Sequence, residues 1–267
     1  LIQIKGILFD KDGTLIDFHS VWLTAARELI AQLTARLEQA DNQVLIGDLL
    51  HSIGIVNEEV LPHGVLAGGT SYDIEAAFRK VLSYHEIQQI PRLREWISDS
   101  LAQITKQKTE MIVPTANLDE LFTNLRTKGI KFGIATADDW EATDICLKTL
   151  GIGHYFEFIA TADRLPEKKP HPNVLFAFCQ HFGLEPEEVA VVGDTAVDLT
   201  LAKLGQAGLA IGVLSGVSST KDLAPLADII IPSVNNLIDQ HGICVWERNT
   251  CIAPIAKMHG KGSPASL

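Results

Sequence analysis

Two carboxylates one residue apart, Asp10 and Asp12, stand where a short apolar run, Ile7-Leu8-Phe9, breaks off and Gly13-Thr14 follows. The run reads as a buried parallel strand, and open α/β sheets gather function at the carboxyl ends of their strands. Two acids there are unfavourable unless a cation or a reaction uses them. Later stretches carry complementary groups: Thr136-Ala137, Lys169, and Asp194 with Asp198. The chemistry that suits such a set is phosphoryl transfer, which asks for positioning and cancellation of charge. Asp10, at a strand tip, can act as the nucleophile and pass through an aspartyl-phosphate. Asp12 points to the same side if the strand pleat persists. From there it can protonate a leaving oxygen and later take a proton from water. Asp10 and Asp194 make a hard, all-oxygen site of the kind that suits Mg²⁺. The Thr136 hydroxyl and the Ala137 amide can donate to phosphate oxygens, and Lys169 brings positive charge to nucleophile and phosphoryl group alike.

The elements that must position these groups follow from periodicity. From Val113 onward helix and strand patterns alternate. Thr115 is expected to cap a helix ending at Gly129, and Ile130–Ala135 is expected as the strand leading to Thr136. Helices over Trp140–Leu150 and Asn173–Phe182 each stop at a glycine. Phe156–Ala160, Val189–Val192, Leu209–Val213 and Asp228–Ile231 read as further strands, with a helix to Leu204 among them. Strands alternating with helices imply a parallel sheet built from right-handed crossovers. The segment after the first strand is different. Ser20 is expected to cap a long helix with Trp22, Ala25, Leu29, Ile30 and Leu33 on one stripe. Val44–Ile53, Tyr72–His85 and Arg92–Gln107, the last with Pro91 in its first turn, read as more helices. No buried strand of any length is expected there. The organisation is therefore an α/β core from residues 1–16 and 114–241, a helical cap over 17–113, and a tail, 242–267, in which Val245-Trp246 could add an edge strand.

Composition narrows the class. The chain has 267 residues, 46% hydrophobic and 21% charged, which is ample for a proper core and ordinary for a globular protein. A net charge of -11 and the lack of a basic stripe argue against nucleic acid or an anionic membrane as partner. Cys146, Cys179, Cys244 and Cys251 form no C-x-x-C pair and read as reduced thiols. With no apolar run of spanning length and no signal-like start, a cytoplasmic location is expected.

Taken in order, Asp10-Lys11-Asp12-Gly13-Thr14, a strand ending in Thr136, Lys169-Pro170, and Gly193-Asp194 through Asp198 resemble the four motifs of the haloacid dehalogenase superfamily. The resemblance covers the whole sheet domain and implies a Rossmann-like core. The helical insert resembles the small cap of the branch that holds phosphoglycolate phosphatase and β-phosphoglucomutase, and Glu167 to Pro172 leans towards the former. It further implies that the backbone carbonyl of Asp12 joins Asp10 and Asp194 on Mg²⁺, and that Asp198 orients its neighbours. Asp12 also argues against dehalogenation, in which the leaving group needs no acid. The expected activity is Mg²⁺-dependent hydrolysis of a small phosphorylated metabolite, phosphoglycolate-type or sugar phosphate. A sugar phosphomutase and a non-catalytic binding protein that keeps the fold are the alternatives.

Each residue also has a plainer reading. Asp12-Gly13-Thr14 alone could be a turn, and Asp194 and Asp198 could be acids at a helix start. Gly64 to Gly69 lacks the lysine of a phosphate loop and reads as a flexible loop of the cap. His171 is expected to start the next helix and Lys168 to be solvated. Asp138 and Asp139 would repel a phosphate dianion unless they cap the following helix, Asp139 above all. Arg27, Arg79, Arg92 and His63 are the cap side chains that could meet a substrate carboxylate or hydroxyl.

Overall fold

The computed structural model describes residues 3–248. Its strands, in chain order, are β1 (Gly6–Phe9), a short pair β2 (Ile55–Val56) and β3 (Glu59–Val60), then β4 (Lys131–Ala135), β5 (Phe158–Ala160), β6 (Val189–Gly193), β7 (Leu209–Val213) and β8 (Ile229–Ile231). Six of them form one sheet in the order β5-β4-β1-β6-β7-β8, with every neighbouring pair parallel. The chain builds from β1 to one edge, then returns beside β1 and builds to the other. The direction reverses between β1 and β6, and the crevice at their carboxyl ends is where such sheets take ligands.

Alternation along the strands divides the core. Ile7 and Phe9 face the side where Phe132, Ile134 and Val192 lie, whereas Leu8 and Val191 face the other. On the first side, Phe122 from the helix Leu118–Thr127 sets its ring edge-on against Phe9, centroids 5.6 Å apart. On the second side, the helix Asn173–Phe182 brings Phe178 into the cluster. Both faces are covered, as the unbroken apolar runs require.

The segment between β1 and β4 is helical, with principal helices Thr24–Arg36, Gln43–Ser52, Ser71–Val81 and Leu93–Gln107. Their buried Leu29, Leu33, Leu49, Phe78, Leu93 and Ile97 join the apolar cluster on the Phe9 side of the sheet. The chain leaves for this insert and returns from it through adjacent points. The Asp17 amide donates to the Val113 carbonyl at 2.8 Å and the Thr115 amide to the Leu15 carbonyl at 3.0 Å. The Thr115 hydroxyl adds a bond to the Thr14 carbonyl at 2.6 Å.

Local boundaries depart from expectation for identifiable reasons. Asp17, not Ser20, caps the start of the first insert helix: its carboxylate accepts from the Ser20 amide at 2.8 Å, while Ser20 lies inside a wide π-helical turn at His19–Leu23. Asn117 caps the helix assigned to Thr115, whose hydroxyl is spent on Thr14. Tyr72–His85 is two helices, because Ser83 and Glu86 form a reciprocal cap that starts Tyr84–Gln88 afresh. Pro91 lies outside the next helix, and Arg92, at φ 63°, turns the chain into Leu93. Phe158, not Phe156, starts β5. Val245 and Trp246 belong to a short helix, Val245–Arg248, and not to an edge strand.

Candidate active site

At the tip of β1 the Asp10 amide continues the ladder, donating to the Val192 carbonyl at 2.8 Å. The strand stops at Phe9 and the chain curls: the Lys11 carbonyl accepts from both Leu15 and Ile16 amides. Asp12 therefore reaches the same cavity as Asp10 through a turn, not through a continuing pleat. Gly13 makes that turn at φ +77°, and a Cβ on it would lie 2.5 Å from the Asp194 carboxylate. Any side chain here would both strain the backbone and displace Asp194.

The residues singled out at the strand ends come together. Asp10, Asp194 and Asp198 are buried, and one carboxylate oxygen from each lies within 4.8 Å of the others. Lys169 donates to Asp10 Oδ1 at 2.6 Å and to Asp198 Oδ1 at 2.7 Å. Asp198 Oδ2 accepts from the Thr195 amide and hydroxyl, so the residue caps the helix Ala196–Leu204 while it anchors Lys169. Asp194 Oδ2 accepts from the Val217 amide at 3.0 Å. Both oxygens of Asp198 are thus engaged, whereas Asp10 and Asp194 each keep one without such a donor among the described residues. Thr136 is buried in the same cavity and Ala137 lines it, although the Thr136 hydroxyl accepts from the Asp138 amide at 3.1 Å.

The charge balance of this cluster asks for a cation. Burial pushes the Asp10 carboxyl up to about 7, Lys169 opposes the shift, and Asp198 and Asp12 add to it. Burial, then Asp10 and Asp198, hold Asp194 well above the usual carboxylate range. Burial disfavours the charged Lys169, yet Asp10 and Asp198 outweigh it and keep the ammonium. Three acids against one ammonium, with free oxygens on Asp10 and Asp194, is a donor set that fits Mg²⁺.

A second cluster, which the residue pattern did not disclose, sits behind Asp12. Lys11 is wholly buried, donates to Asp12 Oδ1 at 2.6 Å and lies 3.2 Å from Asp138 Oδ2. Burial weighs against its charge, but Asp12 leads the groups that raise it well above the ordinary lysine value. Asp138 is pushed up to about 7 by burial, against the pull of Lys11. Neither Asp138 nor Asp139 caps the next helix through its carboxylate. The Trp140 amide there is taken by Asp163 at 3.0 Å, from the loop after β5, and Asp139 instead accepts from Ser98 of the insert at 2.5 Å. A lysine flanked by two acids reads as solvated; only the long-range approach of Asp138 reveals its burial. Nearby Cys146 is pushed up to about 12 by burial and is an inert thiol, as are buried Cys179 and Cys244; Cys251 lies outside the described residues.

Other expectations divide. Lys168 is solvated, as expected, and also pairs with Asp73 of the insert helix Ser71–Val81. His171 leans on Glu167, accepts from the Asn173 amide and does not line the cavity. The glycine-rich loop contains a short helix, Val65–Gly68, and its Gly68 and Gly69 do line the cavity. Arg27, Arg79, Arg92 and His63 do not.

A parallel sheet with buried acids at its switch point and a helical insert after its first strand defines an α/β class whose ligand site lies in the crevice between β1 and β6. Residues 4–206 match the family model of haloacid dehalogenase-like hydrolases, and the chain belongs to that family. It is 25% identical over 251 residues to a phosphoglycolate phosphatase of Shigella dysenteriae, an alignment covering 90% of this chain and 94% of that one. Among solved structures, a haloacid dehalogenase-like hydrolase from Bacteroides fragilis superposes with a TM-score of 0.67 at 18% identity, over 88% of this chain and 100% of the other. A β-phosphoglucomutase from Clostridium difficile gives 0.60 at 19%, over 90% and 95%. No helix of the described residues is long and apolar enough to cross a membrane.

Proposed function

We propose that the protein is a Mg²⁺-dependent phosphatase that hydrolyses a small phosphomonoester through an aspartyl-phosphate. The observation that carries this reading is the Asp10 carboxylate at the switch point, held by Lys169 at 2.6 Å and sharing one cavity with Asp12. Asp10 attacks phosphorus, the bond to the leaving oxygen breaks, and Asp12 gives that oxygen its proton. Water then attacks the phosphorus of the aspartyl-phosphate and yields a proton to Asp12, and the bond to Asp10 breaks to release phosphate. Thr136 and the Ala137 amide hold phosphate oxygens, and Lys169 fixes Asp10 in line through Asp198. Asp10, Asp194 and the Asp12 carbonyl would hold Mg²⁺, which supplies positive charge against the phosphoryl oxygens. The helical insert acts as the cap that excludes large substrates and bulk water. The curated phosphoglycolate phosphatase relative supports a small substrate.

The test is phosphate release from a panel of small phosphomonoesters, with Mg²⁺ or a chelator. Release that needs Mg²⁺ and falls about 10⁴-fold or more in a folded Asp10→Asn variant is expected. Isomerisation of a sugar phosphate primed by its bisphosphate, without net phosphate release, would replace hydrolysis by mutase action.

A further inference from the structure

The end of the cavity away from Asp10 and Asp194 is built for a particular kind of leaving group. Its walls include Phe18, Trp22, Ile74 and Leu101, and its only lining cation among the described residues is Lys169, at the opposite end. The insert cations that could have met a carboxylate are turned elsewhere. Arg27 pairs with Glu58 and Arg79 with Glu75, while Arg92 and His63 are exposed. Lys168 is committed to Asp73, and Lys11 is sealed behind Asp12 and Asp138 without reaching the cavity.

What the cavity offers instead is unpaired polar atoms. Six buried side-chain atoms of the described residues have no hydrogen-bond partner; Asp138 Oδ2 among them is paired with Lys11, and three others belong to residues lining this one space: Trp22 Nε1, Ser71 Oγ and Asp139 Oδ1. Trp22, Ser71 and Asp139 are each more than nine-tenths buried. Buried polar groups are seldom left unpaired in a protein's working state, so their concentration here marks where a ligand bonds. One of the three, Asp139 Oδ1, is a carboxylate oxygen, which accepts and cannot donate when ionised. It calls for a hydroxyl hydrogen, and a ligand carboxylate placed against it would meet like charge, while the nearby Lys11 ammonium is already held by Asp12 and Asp138. The indole N–H and the Ser71 hydroxyl can bond the oxygen of the same hydroxyl. The cavity, about 50 Å³, admits only a small group.

Resting on the phosphatase reading, we propose that the substrate is the phosphomonoester of a small neutral polyol or sugar, and that phosphoglycolate and other carboxylate-bearing esters are rejected. The site then differs in specificity from the phosphoglycolate phosphatase it resembles. Asp139, fixed by Ser98 of the insert, acts as the specificity residue, with Trp22 and Ser71 completing the contact.

The experiment compares two esters of nearly equal size, 2-hydroxyethyl phosphate and 2-phosphoglycolate, which differ in a hydroxymethyl against a carboxylate. Binding of each to the Asp10→Asn protein with Mg²⁺ is measured by calorimetry, and kcat/KM of each with the wild type. The hydroxyl ester is expected to win by about 100-fold in both. Asp139→Asn should narrow that ratio to about tenfold, through the Kd and KM of phosphoglycolate. Equal or tighter binding of phosphoglycolate, or failure of the hydroxyl ester to bind at all, overturns the proposal. Hydrolysis of acetyl phosphate, small and with neither a free hydroxyl nor a free carboxylate, separates the two readings. If it proceeds while the preference is absent, only the specificity assignment falls. If it is absent while the binding preference holds, only the phosphatase reading falls.

Discussion

The two ends of the cavity are built on opposite principles. At the sheet end, Asp10, Asp194 and Asp198 all accept from protein donors; Asp10 and Asp194 each follow directly on a strand, and Asp198 lies in the first turn of the next helix. At the insert end, polar atoms of Trp22, Ser71 and Asp139 are buried without hydrogen-bond partners. The first end is organised before any ligand arrives, which lowers the reorganisation needed during reaction. On the reading proposed above, the second is completed by the ligand and decides which ligand enters. Chemistry and selection are then separated in space, and Lys11 stands between them with one contact to each side, Asp12 and Asp138.

Breaking that link is expected to have the largest effect. Lys11→Met leaves two carboxylates buried without their ammonium and should lower stability by about 3 kcal/mol, read from the urea midpoint. It should also slow small esters of poor leaving alcohols more than small esters of acidic ones, because Asp12 loses its anchor. An unchanged midpoint with equal slowing of both kinds of ester would dissolve the division between the two ends. Next in size is the effect of Mg²⁺. At about 100 times its Kd the ion should stabilise the wild type by about 2.7 kcal/mol over chelator, and Asp194→Asn should abolish most of that gain. A gain that survives in Asp194→Asn would place the ion away from the sheet end.

The smallest effect concerns the contact that ties the ends together from outside, Lys168 to Asp73. Burial opposes ionisation of Asp73, but donors from Lys168 and Thr70 outweigh it and hold its carboxyl below the usual range. A depressed carboxyl stabilises the fold fully above the ordinary carboxylate pKa, and the contribution is lost as pH falls through the lowered one. Asp73→Asn should therefore cost under about 1 kcal/mol at neutral pH, since solvent screens the half-exposed pair. The difference from wild type should close below about pH 4. Urea titrations across that range would measure it, and a gap that widens in acid would contradict the sign.

The sheet end was legible because apolar runs and the acids that follow them are local features. Asp10 and Asp194 each follow directly on such a run, and the fold class followed from the spacing of those runs. The insert end was not, because its character depends on contacts between distant segments. Lys11 is buried by Asp138, Asp139 is claimed by Ser98, and Asp163 caps the helix that Asp139 precedes. The arginines of the insert gave no clue, since their partners Glu58 and Glu75 decide where they point. One miss had a local signal: Ser83-Tyr84-His85-Glu86 is a capping sequence, and it breaks the helix drawn through it.

The paired backbone at Leu15–Asp17 and Val113–Thr115 makes the whole insert, from the standpoint of the sheet, a long loop whose ends are already joined. Loop closure depends only weakly on length, each doubling adding about 0.6 kcal/mol. Between a handful of residues and a hundred lie about four doublings, about 2.5 kcal/mol, so inserts of very different length can hang from that junction provided they cover the Phe9 side of the sheet as this one does. A lineage could exchange one selector for another there, gaining a different diet of esters, without refolding the machinery that cleaves them.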